Sequence, residues 1–351
     1  MKRFLIKISY TVLPVWLLLV GMATYLWTTG DNSGDLMRLG LIDGGSEYSD
    51  SIVAASPLSE VYFDSQDNDS LMRLDTCDVV VIGDSFSHGG GVGKQGDYVN
   101  ALAHDSGCRV VLFTPGGNAQ ESPVQMAFDA LRLGVIDSSR IRNLVVQEVE
   151  RYIVSRHCGF ATNHTAMPCP VSKQEVAAKH PDPSPLLRVK DYVFYHFFGA
   201  NPIYKAQLAR PMFGGKNPST LYFYKDDVEM GVDVTPAQRQ AVGDSYRQLI
   251  TLAQDKGVNI VLLIACDKYD LYQDYIIDNP YPAKTLNEDI RSWMQPADLE
   301  HFVFSKQVLH PLVEQGIKDV YLFNDTHWSP ASSRLIAAAI IPKLKGVRCE
   351  E

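Results

Sequence analysis

The chain has 351 residues, with 32 Lys and Arg against 41 Asp and Glu, for a formal net charge of −9. Hydrophobic residues at 46% and charged residues at 21% fit a folded globular chain rather than a disordered one, and no basic cluster marks a nucleic-acid footprint. With the N-terminal segment set aside, the length suffices for one large domain or one domain with an insertion.

Lys2, Arg3 and Lys7 precede an uncharged run from Ile8 to Trp27. At ~1.5 Å per residue, a helix of that length crosses the ~30 Å hydrocarbon core of a bilayer. The positive flank predicts Lys2 and Arg3 on the cytoplasmic side and the bulk of the chain outside. Residues 1–28 therefore read as an uncleaved signal anchor, held in the membrane through residues 8–27. A cleaved signal peptide is the rival reading, disfavoured by the length of the run and the lack of an A-x-A site. Residues 29–70, rich in Asp, Ser and Gly, read as a polar spacer, and residues 71–351 as the folded domain.

Beyond the spacer, short apolar runs alternate with helical patterns. DVVVIG (78–83), RVVLF (109–113), NLVVQEV (143–149), VNIVLLIAC (258–266) and DVYLFN (319–324) read as strands. Helices are expected over about 97–105, from Ser122 to Leu133, from Thr235 to Lys256 with a Thr235/Gln238 capping box, and from Pro330 to about Lys345. The segment between residues 267 and 318 reads as mostly helical. Continuous apolar strands between amphipathic helices mean α/β architecture, a parallel sheet covered on both faces. The rhythm lapses between about 156 and 234, a stretch rich in aromatics, Pro and Gly, which reads as an insertion.

The six cysteines are Cys77, Cys108, Cys158, Cys169, Cys266 and Cys349. Outside the cytoplasm, Cys158 with Cys169 and Cys77 with Cys108 are candidate pairs; buried thiols are the alternative. There is no C-x-x-C pair, and the histidine spacings are not those of metal ligands, so neither a metal nor an organic cofactor is expected.

In an open α/β sheet, ligands bind at the carboxyl ends of the strands. Those ends carry Asp84-Ser85, the Gly116-Gly117-Asn118 loop, Glu148 to Arg151, Asp267-Lys268 and Asp325-His327. Ser85 follows a strand on a glycine-rich turn, GDSFSHGGG, which exposes a hydroxyl. A serine needs a base to become a nucleophile, and His327 is the candidate, oriented by Asp325. The amides of Ser85 and Gly117 and the Asn118 side chain are the expected oxyanion donors. Asp84 is expected to anchor the turn and His88 to line the loop. Arg151 is either a site residue or the partner of Glu148 or Glu150. Asp267, Lys268, Tyr269 and Trp328 are candidates for an acceptor groove, as are aromatics of the insertion: Tyr192, Phe194, Tyr195, Phe197, Phe198, Tyr222 and Tyr224.

GDSFS (83–87) near the start of the domain and D-x-H near its end resemble the SGNH/GDSL hydrolase superfamily. DTHW (325–328) is similar to the SGNH-like domain of alginate and related exopolysaccharide O-acetyltransferases, with VVQEVERYI (145–153) and DKYDLYQDY (267–275) in the same style. The resemblance covers about residues 75–155 and 255–345. It implies an SGNH-type three-layer fold, and a Ser85–His327–Asp325 triad that takes an acyl group from a donor and passes it to a sugar hydroxyl. There are departures from the pattern. The serine precedes D-x-H, unlike in the alginate enzymes. The G-x-N-D block of the superfamily is absent after the third strand, where Gln147, Glu148 and Arg151 stand instead.

The resemblance implies a bacterial inner-membrane protein with its catalytic domain in the periplasm, a glycan acceptor, and a membrane-embedded acyl donor as partner. An O-acyltransferase is the leading expectation. A carbohydrate esterase would use the same residues, and a glycan-binding or assembly protein would keep the fold without the chemistry.

Overall fold

In the computed structural model, residues 2–29, 35–36, 63–64, 77–90, 92, 95–113, 122–139, 141–158, 189, 193, 203–215 and 217–346 are described. The N-terminal run forms one helix, α1 (Lys2–Thr29). Its segment Lys7–Tyr25 is long and apolar enough to cross a membrane, and none of it is buried against the protein.

The domain is built on a parallel sheet of β1 (Phe63–Asp64), β2 (Val79–Ile82), β3 (Val110–Phe113), β4 (Asn143–Val149), β7 (Asn259–Ala265) and β8 (Phe302–Phe304). The spatial order is β1-β3-β2-β4-β7-β8. From β2 the chain steps to β3 on one side and then returns to β4 on the other. The crevice between the ends of β2 and β4 is therefore the topological switch point, where such sheets place their ligands.

Alternate residues of each strand feed two separate cores. Val79, Val81, Val145 and Leu263 face one layer with α2 (Tyr98–Ser106), α9 (Ser305–Glu314) and α10 (Pro330–Ile340). Val80, Ile82, Leu144 and Leu262 face the other with α3 (Pro123–Arg132), α4 (Glu150–Cys158), α6 (Pro236–Asp255) and α8 (Leu286–Trp293). This is the three-layer α/β arrangement expected from the strand pattern. Ser122, Thr235 and Ser329 each accept from an amide of the first turn of the helix they precede, and Thr235 with Gln238 forms the expected capping box.

One strand differs from expectation. DVYLFN does not join the sheet; the outer strand beside β7 is β8, three residues from the segment read as helical. Residues 319–324 instead fold back on the segment after them. Tyr321 bridges Trp328, Leu322 N–H donates to His327 O, and Ser329 N–H to Val320 O. The run is apolar because Val320, Tyr321, Leu322 and Phe323 are all buried. Its carbonyls find a partner other than a neighbouring strand. The Lys268 ammonium, at the start of α7 (Lys268–Tyr272), donates to Leu322 O at 2.7 Å, Phe323 O at 2.9 Å and Asp325 O at 3.0 Å.

The described part of the insertion is an antiparallel hairpin, β5 (Ile203–Gln207) with β6 (Thr220–Tyr224), followed by α5 (Lys225–Glu229). Tyr222 packs into the core against Phe323, and Tyr224 flanks the Arg151 guanidinium. Tyr192, Phe194, Tyr195, Phe197 and Phe198 lie outside the described residues. No disulfide joins Cys77 to Cys108; Cys169 and Cys349 lie outside the described residues.

A buried ion cluster fastens the hairpin to the sheet edge. Asp267 receives Arg151 at 2.7 Å and Lys284 at 2.7 Å, and Arg151 also reaches Asp227 of α5 at 3.2 Å. The Arg151 partners are thus Asp227 and Asp267, not Glu148 or Glu150. Burial and the neighbouring Asp267 push the Asp227 carboxyl up to about 7, against the pull of Arg151. Removing one member leaves its partners charged and buried, a loss of about 3–5 kcal/mol. Asp267→Ala is therefore expected to lower unfolding stability by that amount in denaturant titration. A loss under about 1 kcal/mol, the scale of an exposed pair, would mean that the cluster does not fasten the hairpin.

Candidate active site

The first half of the site is the turn after β2. Ser87 N–H donates to Asp84 O at 2.9 Å, His88 N–H to Ser85 O at 3.2 Å and Gly90 N–H to Ser85 O at 3.1 Å. Asp84 braces this turn as expected, accepting from the amides of Phe86 (3.3 Å) and Val149 (2.9 Å). Gln147, one of three polar residues in the buried strand β4, completes the brace. Its oxygen accepts from Asp84 N–H at 3.0 Å and from the Ser87 hydroxyl at 2.8 Å, and its amide nitrogen donates to Asp84 Oδ1 at 2.8 Å. Gly83 must lack a side chain, because a Cβ there would fall 2.7 Å from Gln147 Oε1. On this turn Ser85 is the exposed residue.

The second half is the loop held by Lys268. Asp325 Oδ1 accepts from His327 N–H at 2.9 Å and from the His327 ring at Nδ1. The other ring nitrogen, Nε2, lies 2.7 Å from Ser85 Oγ. The structure thus brings Ser85, His327 and Asp325 into one hydrogen-bonded line across a separation of 242 residues. Phe86 packs on the His327 ring (centroids 4.6 Å apart) and on Trp328 (4.7 Å), so the serine turn and the histidine loop also share an aromatic contact.

Electrostatics favour a charged histidine. Burial alone would lower the His327 pKa. The Asp325 carboxylate with its hydrogen bond, and Asp35 behind it, outweigh burial and hold the pKa above 6.5. Burial would likewise raise Asp325, but the His327 charge and hydrogen bonds keep it below the ordinary carboxylate value. Burial pushes the Lys268 ammonium down to about 7, against the pull of Asp325 and Asp35.

Not every expected residue lines the site. Arg151, Asp267, Lys268, Tyr269 and Trp328 are all buried, and each makes a polar bond to a group inside the protein, so they form the frame of the site and not an open groove. The backbone at Asp267 and Lys268 turns from β7 directly into α7 and carries both side chains inward. Gly116, Gly117 and Asn118 lie outside the described residues. Among the described residues the Ser85 amide has no hydrogen-bond partner.

Two contributors had no role assigned to them from the sequence. Gln147 signalled itself only as a polar residue in a buried strand. Asp35 gave no signal at all: it lies in the stretch read as spacer, yet its N–H donates to Asp325 Oδ2 at 2.8 Å.

A second Ser–His–acid line runs through the protein. His157 Nε2 meets Glu148 Oε2 at 2.7 Å, and His157 Nδ1 meets the Ser245 hydroxyl. Ser122 (3.1 Å) and Tyr246 (3.2 Å) also donate to Glu148. Ser245, His157 and Glu148 are each at most 2% exposed, so no substrate reaches them; their bonds tie α4 and α6 to the end of β4.

Two outcomes follow from the geometry. A Cβ at Gly90 would fall 2.5 Å from His327 Nε2 and 2.7 Å from Cδ2. Gly90→Ala is expected to displace the ring and slow reaction of Ser85 with a fluorophosphonate by about 100-fold, the scale of a misplaced catalytic group. Unchanged labelling would show that the ring seat tolerates the methyl. In the parent protein only neutral His327 can take the serine proton, and its pKa is raised. The labelling rate should therefore rise with pH through an inflection above 6.5, and Asp325→Asn should move that inflection down. An inflection at or below the free imidazole value in the parent protein would contradict the assigned electrostatics.

No curated protein and no solved structure matches the chain. A family model does, over residues 222–349, a span that contains Asp325 and His327 but begins well after Ser85. By that match, the C-terminal part of the chain is similar to the SGNH hydrolase-like domain of the acetyltransferase AlgX.

Proposed function

We propose that the protein is a serine-dependent O-acyltransferase, with acetyl as the group carried and an extracytoplasmic polysaccharide or cell-surface glycan as the acceptor. The observation that carries this reading is the exposed Ser85 hydroxyl, 2.7 Å from His327 Nε2, with Asp325 on the opposite ring nitrogen. The family match supports acyl-ester chemistry of the esterase or acyltransferase type, and its description as an acetyltransferase favours transfer.

In this reading Ser85 Oγ attacks the donor's acyl carbonyl and its proton passes to His327 Nε2. Asp325 holds the ring in the orientation that points Nε2 at the serine and balances the imidazolium charge. The Ser85 amide meets the oxyanion; the further donors expected from the sequence, Gly117 and Asn118, lie outside the described residues. The tetrahedral intermediate collapses, the donor's leaving group takes the proton from His327, and Ser85 is left as an ester. A sugar hydroxyl then attacks that ester and gives its proton to His327. The second tetrahedral intermediate releases acylated sugar and returns the proton to Ser85. Water in place of the sugar would make the same machinery an esterase.

The reading also assigns α1 as a single-pass anchor in a bacterial inner membrane, with the domain in the periplasm and a membrane-embedded partner presenting the acyl group. The apolar helix supports this assignment.

The test uses the full chain in detergent with p-nitrophenyl acetate, with and without a panel of oligosaccharides, followed by intact mass. The expected result is an acetyl adduct, absent in Ser85→Ala, that disappears as acetylated sugar forms. Release of acetate alone would assign the esterase. Neither adduct nor turnover in the parent protein would turn the reading to a non-catalytic glycan-binding role.

A further inference from the structure

The stretch that joins α1 to the domain contributes to the site. Asp35 is 290 residues from Asp325 and 7% exposed, and its neighbour Leu36 is fully buried in the core that also holds Phe86, Tyr321 and Trp328. The contact runs in both directions. Asp35 N–H donates to Asp325 Oδ2 at 2.8 Å, the carboxylate oxygen that His327 does not use. In return, Asp35 Oδ1 accepts from Thr326 N–H at 2.9 Å, and Oδ2 accepts from the Thr326 hydroxyl. Thr326 is the residue between Asp325 and His327.

We propose that Asp35 is a positioning residue for the reaction, acting through Asp325 and Thr326 to fix the ring of His327. This inference rests on the reading of Ser85 as nucleophile and His327 as base. A carboxylate bonded through one oxygen can swing about that bond; one held on both oxygens cannot, and the ring it orients is fixed with it. Lys268 secures this loop through its carbonyls, and Asp35 secures it through an amide and a hydroxyl, so the two act on different atoms of the same few residues. Asp35 also places a second carboxylate 3.8 Å from His327 Nδ1. Asp35, Asp325 and His327 lie close enough together to hold a cation. Every carboxylate oxygen in the group already accepts an N–H or O–H, however, which assigns the cluster to positioning and not to metal binding.

The test compares Asp35→Ala, Asp35→Asn and Thr326→Val with the parent, as full-length protein in detergent. The readouts are kcat and KM for p-nitrophenyl acetate, Ser85 labelling by a fluorophosphonate, thermal melting, and the His327 titration by NMR with labelled histidine. Asp35→Ala is expected to lower kcat by about 10- to 100-fold, the scale of a lost hydrogen bond to a charged group, with KM within about twofold. Asp35→Asn, which keeps an acceptor for the Thr326 amide, should recover much of that loss. Thr326→Val should lower kcat as well, and combining it with Asp35→Ala should add little. Should Asp35→Ala fail to fold, Asp35→Asn and Thr326→Val carry the comparison. Unchanged kcat in the folded variants, or a loss that only follows the fraction melted, would overturn the proposal. A parent protein that takes no fluorophosphonate would instead remove the nucleophile reading. Asp35 is then judged by NMR: a His327 titration that moves down in the variants upholds the positioning role, and an unmoved one overturns it.

Discussion

The site depends on one buried cation. The Lys268 ammonium reaches three backbone carbonyls of a loop that has no strand to pair with. Buried carbonyls require partners, and a sheet would ordinarily supply them along a ladder. Here a single side chain supplies them at a point, so the loop can curve. That curvature lets the residues after Phe323 turn back over the sheet edge and present His327 to the serine on the turn after β2. Had residues 319–324 been a regular strand, Asp325 and His327 would have projected beyond the sheet edge as its continuation.

The serine side is braced by different means. Gln147 spans from β4 to the turn after β2 with three hydrogen bonds, and Asp84 returns a bond to the β4 backbone. Each half of the site is thus braced by itself, and the halves meet at the Oγ–Nε2 contact and at the Phe86 ring, which packs on His327 and Trp328. The buried Ser245–His157–Glu148 line shows what such a line becomes without an opening. It has the same three kinds of side chain in hydrogen-bonded order, yet its hydroxyl faces only the protein interior.

Much of the fold was legible in the sequence because it rests on local chemistry. Four apolar runs became strands β2, β3, β4 and β7 within a residue of their expected bounds, and Thr235 with Gln238 closed the expected capping box. The strand expected at DVYLFN was misread for a physical reason. A buried loop and a buried strand are equally apolar, and what separates them is the partner of the carbonyls, here a lysine over 50 residues away. Ser85, Asp325 and His327 were legible as motifs. Tyr269 and Trp328 looked like an aromatic lining because sequence does not tell an aromatic beside a cavity from one beneath it. Asp35 was invisible, since nothing in a polar stretch tells that one aspartate will be buried against a loop at the far end of the chain.

The contact between Asp35 and Asp325 also sets a length. From Thr29, where α1 ends, to Asp35 there are six residues, and six extended residues reach about 20 Å. With α1 in a bilayer, Asp325 is leashed to within that reach of the helix end, and Ser85 is bonded to the same assembly. So anchored, the chain would have no long arm with which to search the space above the membrane. An acyl group carried in the bilayer would come to hand, whereas a polymer would have to be brought down to the headgroup layer. Under the proposed function, the reach of the site, and with it the stretch of glycan acylated, would be set by where that polymer passes the membrane face.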